Sequence, residues 1–193
     1  MNTVIRRALL LALVWGLAAC TVVSKVEKGE AVVRDRLVVQ VDDPWNRFER
    51  DISYGMPTWT QEGITVDAMR FLVGVADGQP IAPTTDSKQT PLLFRASMQP
   101  AEIAALYQAL LSRDGSTFTL TRVEPDEFIG TRGLRIEYEL VRKVDDVRLK
   151  GVAWAAVHQN QLFMIAYDAP RMAFFDKYLA RATAVARSAR VRG

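Results

Sequence analysis

The clearest pattern along the chain is a period of two over residues 134–141, in which one set of apolar side chains alternates with Arg135, Glu137, Glu139 and Val141. A period of two predicts a half-buried β-strand. Its apolar members are Leu134, Ile136, Tyr138 and Leu140. Residues 147–157 and 162–167 form two further apolar runs, and the part 151–156 is apolar on both faces. Because only short turns separate the three runs, we expect an antiparallel meander.

Two segments instead repeat apolar side chains at helical spacing. The first runs over residues 100–111, with Pro100 in its first turn and Asp114-Gly115 after its end. Its apolar stripe consists of Ile103, Leu106, Tyr107, Leu110 and Leu111. The second is a terminal helix that we expect to open at Pro170. Its stripe consists of Phe175, Tyr178, Leu179, Ala182, Val185, Ala186 and Ala189.

The front half has weaker strand signals. Residues 37–41 and 68–76 are rich in β-branched and apolar side chains and predict strands. Residues 58–60 and 64–66 predict a hairpin that turns at Gly63.

Together these elements predict one α+β domain over residues 37–193, a twisted antiparallel sheet packed by two or more helices. Residues 77–97 interrupt it with three prolines and many polar side chains. A loop of that length inside one domain is either functional or mobile.

The order of the elements resembles the Mog1/PsbP-like fold over residues 98–190. The likeness rests on Gly130-Thr131-Arg132-Gly133-Leu134-Arg135-Ile136-Glu137-Tyr138 and on the strand 162–167 that feeds the last helix. It implies an accessory or binding protein, although fold does not settle function. The front half is similar to uncharacterised proteobacterial secreted proteins, a likeness that implies no activity. It rests on Pro44-Trp45-Asn46-Arg47, Thr58-Trp59-Thr60-Gln61-Glu62-Gly63 and Gly74-Val75-Ala76-Asp77-Gly78.

Residues 1–19 have the pattern of a secretory signal peptide, with Arg6 and Arg7 before an apolar run. The run ends in Leu17-Ala18-Ala19-Cys20, which resembles the bacterial lipoprotein lipobox at all four positions. The resemblance implies cleavage between Ala19 and Cys20, a diacylglycerol thioether on Cys20 and usually N-acylation. The alternatives are a plain signal peptide and an uncleaved membrane helix, although the uncharged run 8–24 is short of the roughly 20 residues that a spanning helix needs.

The residues after the lipobox set the expected location. Thr21 stands where an inner-membrane retention signal has Asp, so we expect a lipid anchor in the outer membrane, on the periplasmic face of a Gram-negative cell. Residues 20–36 mix charges with valines without a clear period and predict a lipidated tether. The alternative is that these valines pair as an extra edge strand.

Composition and charge exclude several classes of function. One Cys and one His rule out an intramolecular disulfide framework and a zinc site with several thiolates. The formal charge of +3 falls when Arg6 and Arg7 leave with the signal peptide. An exported and nearly neutral chain is not expected to bind nucleic acid. We expect a membrane contact through acylated Cys20 and a protein partner in the envelope.

The terminal helix is basic, and its charges have two possible uses. Against a lone Asp176 it carries Arg171, Lys177, Arg181, Arg187, Arg190 and Arg192. Such a face either docks on anionic lipid or an acidic partner, or is an ordinary solvated surface.

The chain has no motif that predicts catalysis. His158 is expected in a solvated turn, and no serine lies in a nucleophile elbow. The acidic pairs 42–43 and 145–146 suit turns better than cation sites. We therefore expect no catalytic residue, no metal and no cofactor.

Three tryptophans remain after the signal peptide. Trp154 lies in an apolar strand and is expected in the core. Trp45, with its neighbour Asn46, and Trp59 lie near predicted turns, a setting that suits a contact with a sugar or peptide. The alternative is that the two indoles cap the open end of a small core.

These observations favour a non-enzymatic, lipid-anchored periplasmic protein that binds or assists another envelope component. A second hypothesis is a small-ligand binder in which the loop 77–97 closes as a lid over Trp45 and Trp59. A third is a hydrolase of envelope polymers.

Overall fold

The structure is a computed structural model that describes residues 23–84 and 89–192. Eleven strands and two helices lie in these ranges. The strands are β1 (Val23–Val26), β2 (Gly29–Val33), β3 (Leu37–Val41), β4 (Trp45–Phe48), β5 (Thr58–Thr60), β6 (Ala68–Ala76), β7 (Thr117–Phe128), β8 (Thr131–Val141), β9 (Arg148–His158), β10 (Gln161–Pro170) and β11 (Arg190–Val191). The helices are α1 (Pro100–Leu111) and α2 (Phe175–Arg187). Neither of these two helices is long and apolar enough to cross a membrane.

An eight-stranded antiparallel sheet forms the centre of the fold, in the order β1-β4-β5-β6-β10-β9-β8-β7. The predicted three-stranded meander is confirmed as β8, β9 and β10, and β7 extends it at the edge of the sheet. A smaller sheet has the order β11-β3-β2. The predicted α+β class and the antiparallel sheet with two packed helices are confirmed.

Two apolar cores lie on opposite faces of the large sheet, because successive side chains of a strand point to opposite faces. In β10, Phe163 and Ile165 enter one core, whereas Leu162 and Met164 enter the other. Helix α2 and the smaller sheet cover the first core, and α1 covers the second. The fold therefore has three layers, with the large sheet in the middle.

Residues 23–33, predicted as part of a tether, form β1 and β2 instead. The alternative of valines paired at an edge is what the structure has, since β1 pairs with β4 along its whole length. Val32 is 38% exposed and its neighbour Val33 only 5%, so adjacent valines face opposite sides. Because both residues are valines, the sequence shows no alternation of apolar and polar side chains here, although the strand has one buried and one exposed face.

The expected strand at 64–66 is also wrong, because residues 61–67 wrap around the carboxylate of Asp67. This buried group accepts hydrogen bonds from the Thr60 hydroxyl (2.8 Å) and from the backbone N–H groups of Gln61 (2.8 Å) and Glu62 (2.7 Å). The Asp67 N–H in turn donates to the Gly63 carbonyl at 2.9 Å, which closes the loop. Satisfying a buried carboxylate outweighs the β propensity of Ile64, Thr65 and Val66.

The terminal helix begins later than the sequence suggests. Pro170 is the last residue of β10, paired with Leu149, and a turn follows before α2 starts at Phe175. The Pro170 carbonyl accepts the Phe174 N–H at 3.2 Å within that turn. Proline is tolerated at the end of a strand as well as in the first turn of a helix. Its presence at position 170 therefore did not fix where the helix begins.

Candidate functional site

The predicted lipidation and cleavage residues, Cys20 and Ala19, lie outside the described residues. The described chain begins at Val23 in β1.

Trp45 and Trp59 do not form a binding surface. Each is 1% exposed and belongs to the core beneath α2. The Trp45 ring meets Tyr167 edge to face at 6.4 Å between centroids, and the Trp59 ring lies 4.6 Å from that of Phe71. The alternative that the two indoles serve the core fits the structure, and the contact with a sugar or peptide does not.

Asn46 has a structural role beside them. Its side-chain N–H donates to the Gln61 carbonyl at 3.2 Å, and the Gln61 amide donates to the Pro44 carbonyl at 2.9 Å. These bonds fix the loop after β5 against β4 and give Asn46 a structural role.

The described part of the segment 77–97 is not a lid over the tryptophans. Ile81, Ala82 and Phe94 are buried in the core beneath α1, on the sheet face opposite Trp45 and Trp59. Backbone hydrogen bonds of 2.8–2.9 Å join the two arms of the segment, from Gly78 to Phe94 and from Ile81 to Leu92. Buried side chains and paired backbone make this segment part of the fold.

The other candidate residues, His158 and the two acidic pairs, lie at strand ends and in the connections between strands. His158 is half-buried at the end of β9, beside a tight turn at Gln159 and Asn160, both with positive φ. The acidic pairs 42–43 and 145–146 lie in connections between strands. Within the described residues no three His, Cys, Asp or Glu side chains lie close enough together to hold a metal ion.

The charges of the terminal helix are largely used within the molecule. Of the six basic residues that the sequence assigned to it, only Lys177, Arg181 and Arg187 lie in α2. Arg171 lies in the turn before the helix, and Arg190 lies in β11. Five of the six pair with acidic residues from earlier in the chain. These ion pairs are Arg171–Glu139, Lys177–Glu62, Arg181–Asp43, Arg187–Asp126 and Arg190–Glu30. They favour the interpretation of this face as an ordinary surface over that of a lipid-docking face.

The large sheet contains a buried ion pair that the sequence did not predict. Arg70 in β6 is 8% exposed, Asp168 in β10 is 2% exposed, and the guanidinium pairs directly with the carboxylate. The Tyr138 hydroxyl donates to the same carboxylate at 3.1 Å, and the Arg70 Nε donates to the Ser53 hydroxyl at 2.6 Å. Buried charges are tolerated when they are paired and hydrogen-bonded in this way.

The pKa values of the arginine and of two tyrosines at this cluster are raised. Burial would lower the pKa of Arg70, but the charge of Asp168 offsets it and the net direction is upward. Burial also raises the pKa of Tyr138 and of Tyr107, whose rings meet at 5.9 Å. At neutral pH the cluster therefore holds a charged arginine and neutral phenols, which suits positioning better than proton transfer.

Tyr54 covers the outer side of this ion pair. Its ring lies 5.7 Å from the Arg70 guanidinium, and burial raises the pKa of its hydroxyl. Its φ of 54° is unusual for a bulky side chain, and Gly55 follows with a φ of 70°. The two residues are the centre of a tight turn that the Met56 N–H closes on the Ser53 carbonyl at 3.0 Å, and this turn holds the Tyr54 ring over Arg70.

A cleft of about 420 Å³ opens beside Tyr54, and we call it the Tyr54 cleft. Its walls include Ile52, Tyr54, Ala82, Leu110, Arg113 and Asp114. The Arg113 guanidinium donates to the backbone carbonyls of Thr90 (3.1 Å) and Pro83 (3.4 Å), and no carboxylate among the described residues pairs with it. The cleft thus combines an aromatic ring and apolar walls with a cation and a carboxylate.

A second cavity of about 370 Å³ adjoins the cleft and shares Gly55, Ala82 and Pro83 with it. Gly55 separates the two, and a Cβ at this position would overlap the Pro83 ring. The cleft therefore depends on a glycine, both for the positive φ and for the close approach of residue 83.

One sequence signal could have pointed to this region. Arg70 and Asp168 are single charges inside otherwise apolar strand runs, a placement that indicates a buried pair. The left-handed backbone of Tyr54 and its approach to Arg70 have no comparable signal, because they depend on the path of the chain between β4 and β5.

Comparison with known proteins places the fold. No protein-family model matches the chain, and no curated protein does. Among solved structures, the chain is similar to the cyanobacterial PsbP protein (CyanoP) of Synechocystis, with a TM-score of 0.57 and 12% identity over 92% of this chain and 96% of that one. It is also similar to LpqN of Mycobacterium tuberculosis, described as involved in cell envelope biogenesis, with a TM-score of 0.48 and 10% identity over 89% of this chain and 92% of that one. The first likeness confirms the predicted PsbP-like fold and extends it to the front half.

Proposed function

We propose that the protein is a lipoprotein of the Gram-negative envelope that binds another envelope component without catalysing a reaction. Residues 1–20 support the location, because a basic start, an apolar run and Leu17-Ala18-Ala19-Cys20 are what acylation on Cys20 requires. Thr21 supports the outer membrane rather than the inner one. Two or three long acyl chains anchor a protein stably, at about 0.8 kcal/mol for each buried methylene.

The Tyr54 cleft is the observation that carries the binding role. Its volume of about 420 Å³ lies in the range of about 300–1,000 Å³ that binding sites occupy. Ile52, 46% exposed, provides an apolar wall, while Arg113 and Asp114 provide opposite charges at one end. Such a surface suits an apolar side chain flanked by polar groups, as in an extended peptide segment of another envelope protein.

Photo-crosslinking in living cells tests this role. A photoreactive amino acid at Ile52 is expected to give a discrete adduct with one envelope protein. The matched control is Leu120, an apolar residue that is 40% exposed on β7, the far edge of the sheet. An adduct from Ile52 and none from Leu120 supports the proposal. No adduct from Ile52 under any growth condition, or the same adducts from both positions, overturns it.

The opposite charges of Arg113 and Asp114, which both line the cleft, also favour a second candidate, a small zwitterionic or sugar-like ligand. Native mass spectrometry of protein extracted from envelopes would then show a bound small molecule that disappears in Tyr54→Ala. A ligand mass without a macromolecular adduct at Ile52 favours this second candidate, and an adduct without a ligand mass favours the first.

A further inference from the structure

We propose that the folded domain lies directly against the bilayer, with the edge of the large sheet at β1 facing the lipid headgroups. This inference rests on the proposed acylation of Cys20 and goes beyond it, because a lipid anchor by itself fixes no orientation.

The length of chain between anchor and fold carries the argument. Only Thr21 and Val22 separate Cys20 from Val23, the first residue of β1. Three residue steps span at most about 11 Å, at about 3.3–3.6 Å each. The headgroup layer of one leaflet is roughly 5–8 Å thick, half the difference between the full bilayer and its hydrocarbon core. With its acyl chains in the hydrocarbon, Cys20 therefore holds Val23 within a few ångströms of the membrane surface.

On the protein side of the connection, β1 is fixed to the domain and cannot act as a hinge. Val23 pairs with Phe48 and Val26 with Trp45, so β1 is in register with β4 from its first residue to its last. Val26 is 7% exposed and belongs to the core beneath α2. The strand that carries the anchor is thus fixed to the body of the domain.

The side chains around the start of β1 suit a membrane interface. We define the anchor surface as Val23, Val32, Arg34, Arg47 and Phe48, the last four of which border one cavity of about 290 Å³. Val23 and Val32 are 37% and 38% exposed, and Phe48 is half-buried. Apolar side chains with interspersed arginines are the composition that settles at the headgroup boundary.

Charge adds little to this contact. Arg34 pairs with Asp51, and Arg47 lies 3.5 Å from Glu49, so most of the arginine charge is already compensated. A basic residue attracts an anionic membrane surface appreciably only when its charge is free. The short covalent reach from Cys20, and not electrostatic attraction, is therefore what orients the domain.

The opposite edge of the sheet provides an internal reference. Strand β7 is the eighth strand from β1, and seven strand spacings of about 4.8 Å place it roughly 34 Å away. Leu120 on β7 is 40% exposed, much as Val32 is, so the two positions differ mainly in their distance from the anchor.

Fluorescence quenching in vesicles tests the orientation. The chain has one cysteine, whose sulfur acylation consumes, so Val32→Cys or Leu120→Cys supplies the single free thiol for a fluorophore. Acylated protein is reconstituted into vesicles of phosphatidylethanolamine and phosphatidylglycerol that contain a headgroup spin label. Quenching is expected to be several-fold stronger at position 32 than at position 120.

A second variant separates the short connection from other causes. A flexible Gly/Ser insertion of about 20 residues after Val22 gives the anchor an end-to-end distance of about 25 Å. Quenching at position 32 should then fall to the level of position 120, while the protein stays on the vesicles. Equal quenching at both positions in the acylated parent protein, or quenching unaffected by the insertion, overturns the orientation alone. Protein whose N-terminal peptide carries no lipid overturns the acylation and the orientation together.

Discussion

Arg70 and Asp168 show how one pair of residues fixes the centre of the large sheet. Removing one partner leaves a buried charge without compensation, which costs about 3–5 kcal/mol. We expect Arg70→Met to lower the free energy of unfolding by that amount, measured by urea denaturation. The double variant Arg70→Met/Asp168→Leu should recover much of the loss, because both charges are gone.

The matched control for this pair is Arg171→Gln. Arg171 lies 3.5 Å from Glu139 in an exposed ion pair, and such pairs contribute at most about 1 kcal/mol. If Arg70→Met cost no more than Arg171→Gln, the buried pair would not have the role assigned to it here.

Gly55 is the residue on which the Tyr54 cleft depends most directly. Gly55→Ala places a side chain at a positive φ, which costs on the order of 1–3 kcal/mol, and also drives a methyl group into Pro83. We expect the crosslinked adduct at Ile52 to be lost. Gly63→Ala is the control, because Gly63 also has a positive φ but its Cβ would meet no atom within 4 Å. An adduct that survives Gly55→Ala would argue against the cleft as the binding site.

For single residues, burial was predictable inside an apolar run and was not predictable beside a turn. Trp154 was expected in the core and is there, at 1% exposure. Trp45 and Trp59 were candidates for a surface because turn-forming residues flank them, yet each lies in a strand that the smaller sheet and α2 cover. Whether a residue beside a turn is exposed depends on what packs over it, and that contact is distant in sequence.

Strands β8 and β9 owe their close packing to a glycine opposite a tyrosine. Gly151 pairs across the strands with Tyr138, and a Cβ on Gly151 would overlap the tyrosine ring. We expect Gly151→Ala to cost about 1–3 kcal/mol in unfolding free energy, because it displaces the ring that hydrogen-bonds Asp168.

A double-mutant cycle checks the cause. In a Tyr138→Leu background the overlap is relieved, so the cost of Gly151→Ala should shrink well below its value in the parent protein. Equal costs in the two backgrounds would show that the two residues do not interact.

Helix α2 is held to the body partly by carboxylates that titrate in acid. Hydrogen bonds from Lys177 and Tyr178 lower the pKa of Glu62 from its ordinary 4.5, and the bond from Arg187 lowers the pKa of Asp126 from 3.8. A lowered folded-state pKa adds stability above the ordinary value, and this stability is lost as the pH falls through the folded value. We therefore expect α2 to exchange its amide hydrogens faster below about pH 4, after correction for intrinsic exchange rates.

The variant Glu62→Gln/Asp126→Asn tests the assignment. Its α2 should already exchange faster at pH 7 and should gain less on acidification than the parent protein. The same acid response in the variant as in the parent would contradict a role for these two carboxylates.

Helices and strands whose apolar side chains repeat regularly were predictable. Strands that form only because other parts of the chain pair with them were not. The alternation in β8 and the stripe of α1 follow from local sequence, and both were found at their observed places. Strand β4 has only four residues and exists because β1 and β5 flank it. Strand β1 was expected as part of a tether because its partner β4 comes only after β2 and β3 in the chain. Strand β2 pairs with the neighbouring β3 and was missed because its mixed charges and adjacent valines show no clear period.

In the whole molecule, folding brings the basic C-terminal residues next to acidic residues from earlier in the chain. Basic residues of α2 and β11 pair with acidic residues of the body, and residues as distant as Arg190 and Glu30 contact each other. The PsbP-like fold was predictable from the order of elements in the second half. The Tyr54 cleft was not, because residues 52–55, 82–83 and 110–114 meet there only in three dimensions.

We propose that this domain works as a lipoprotein, held in the envelope through Cys20. Mass spectrometry of the N-terminal peptide of protein extracted from envelopes tests it most directly. We predict a peptide that begins at Cys20 and carries the mass of a diacylglyceryl group, usually with a further acyl chain. A peptide that begins at Met1 or at another residue, or an unmodified Cys20, would contradict the account.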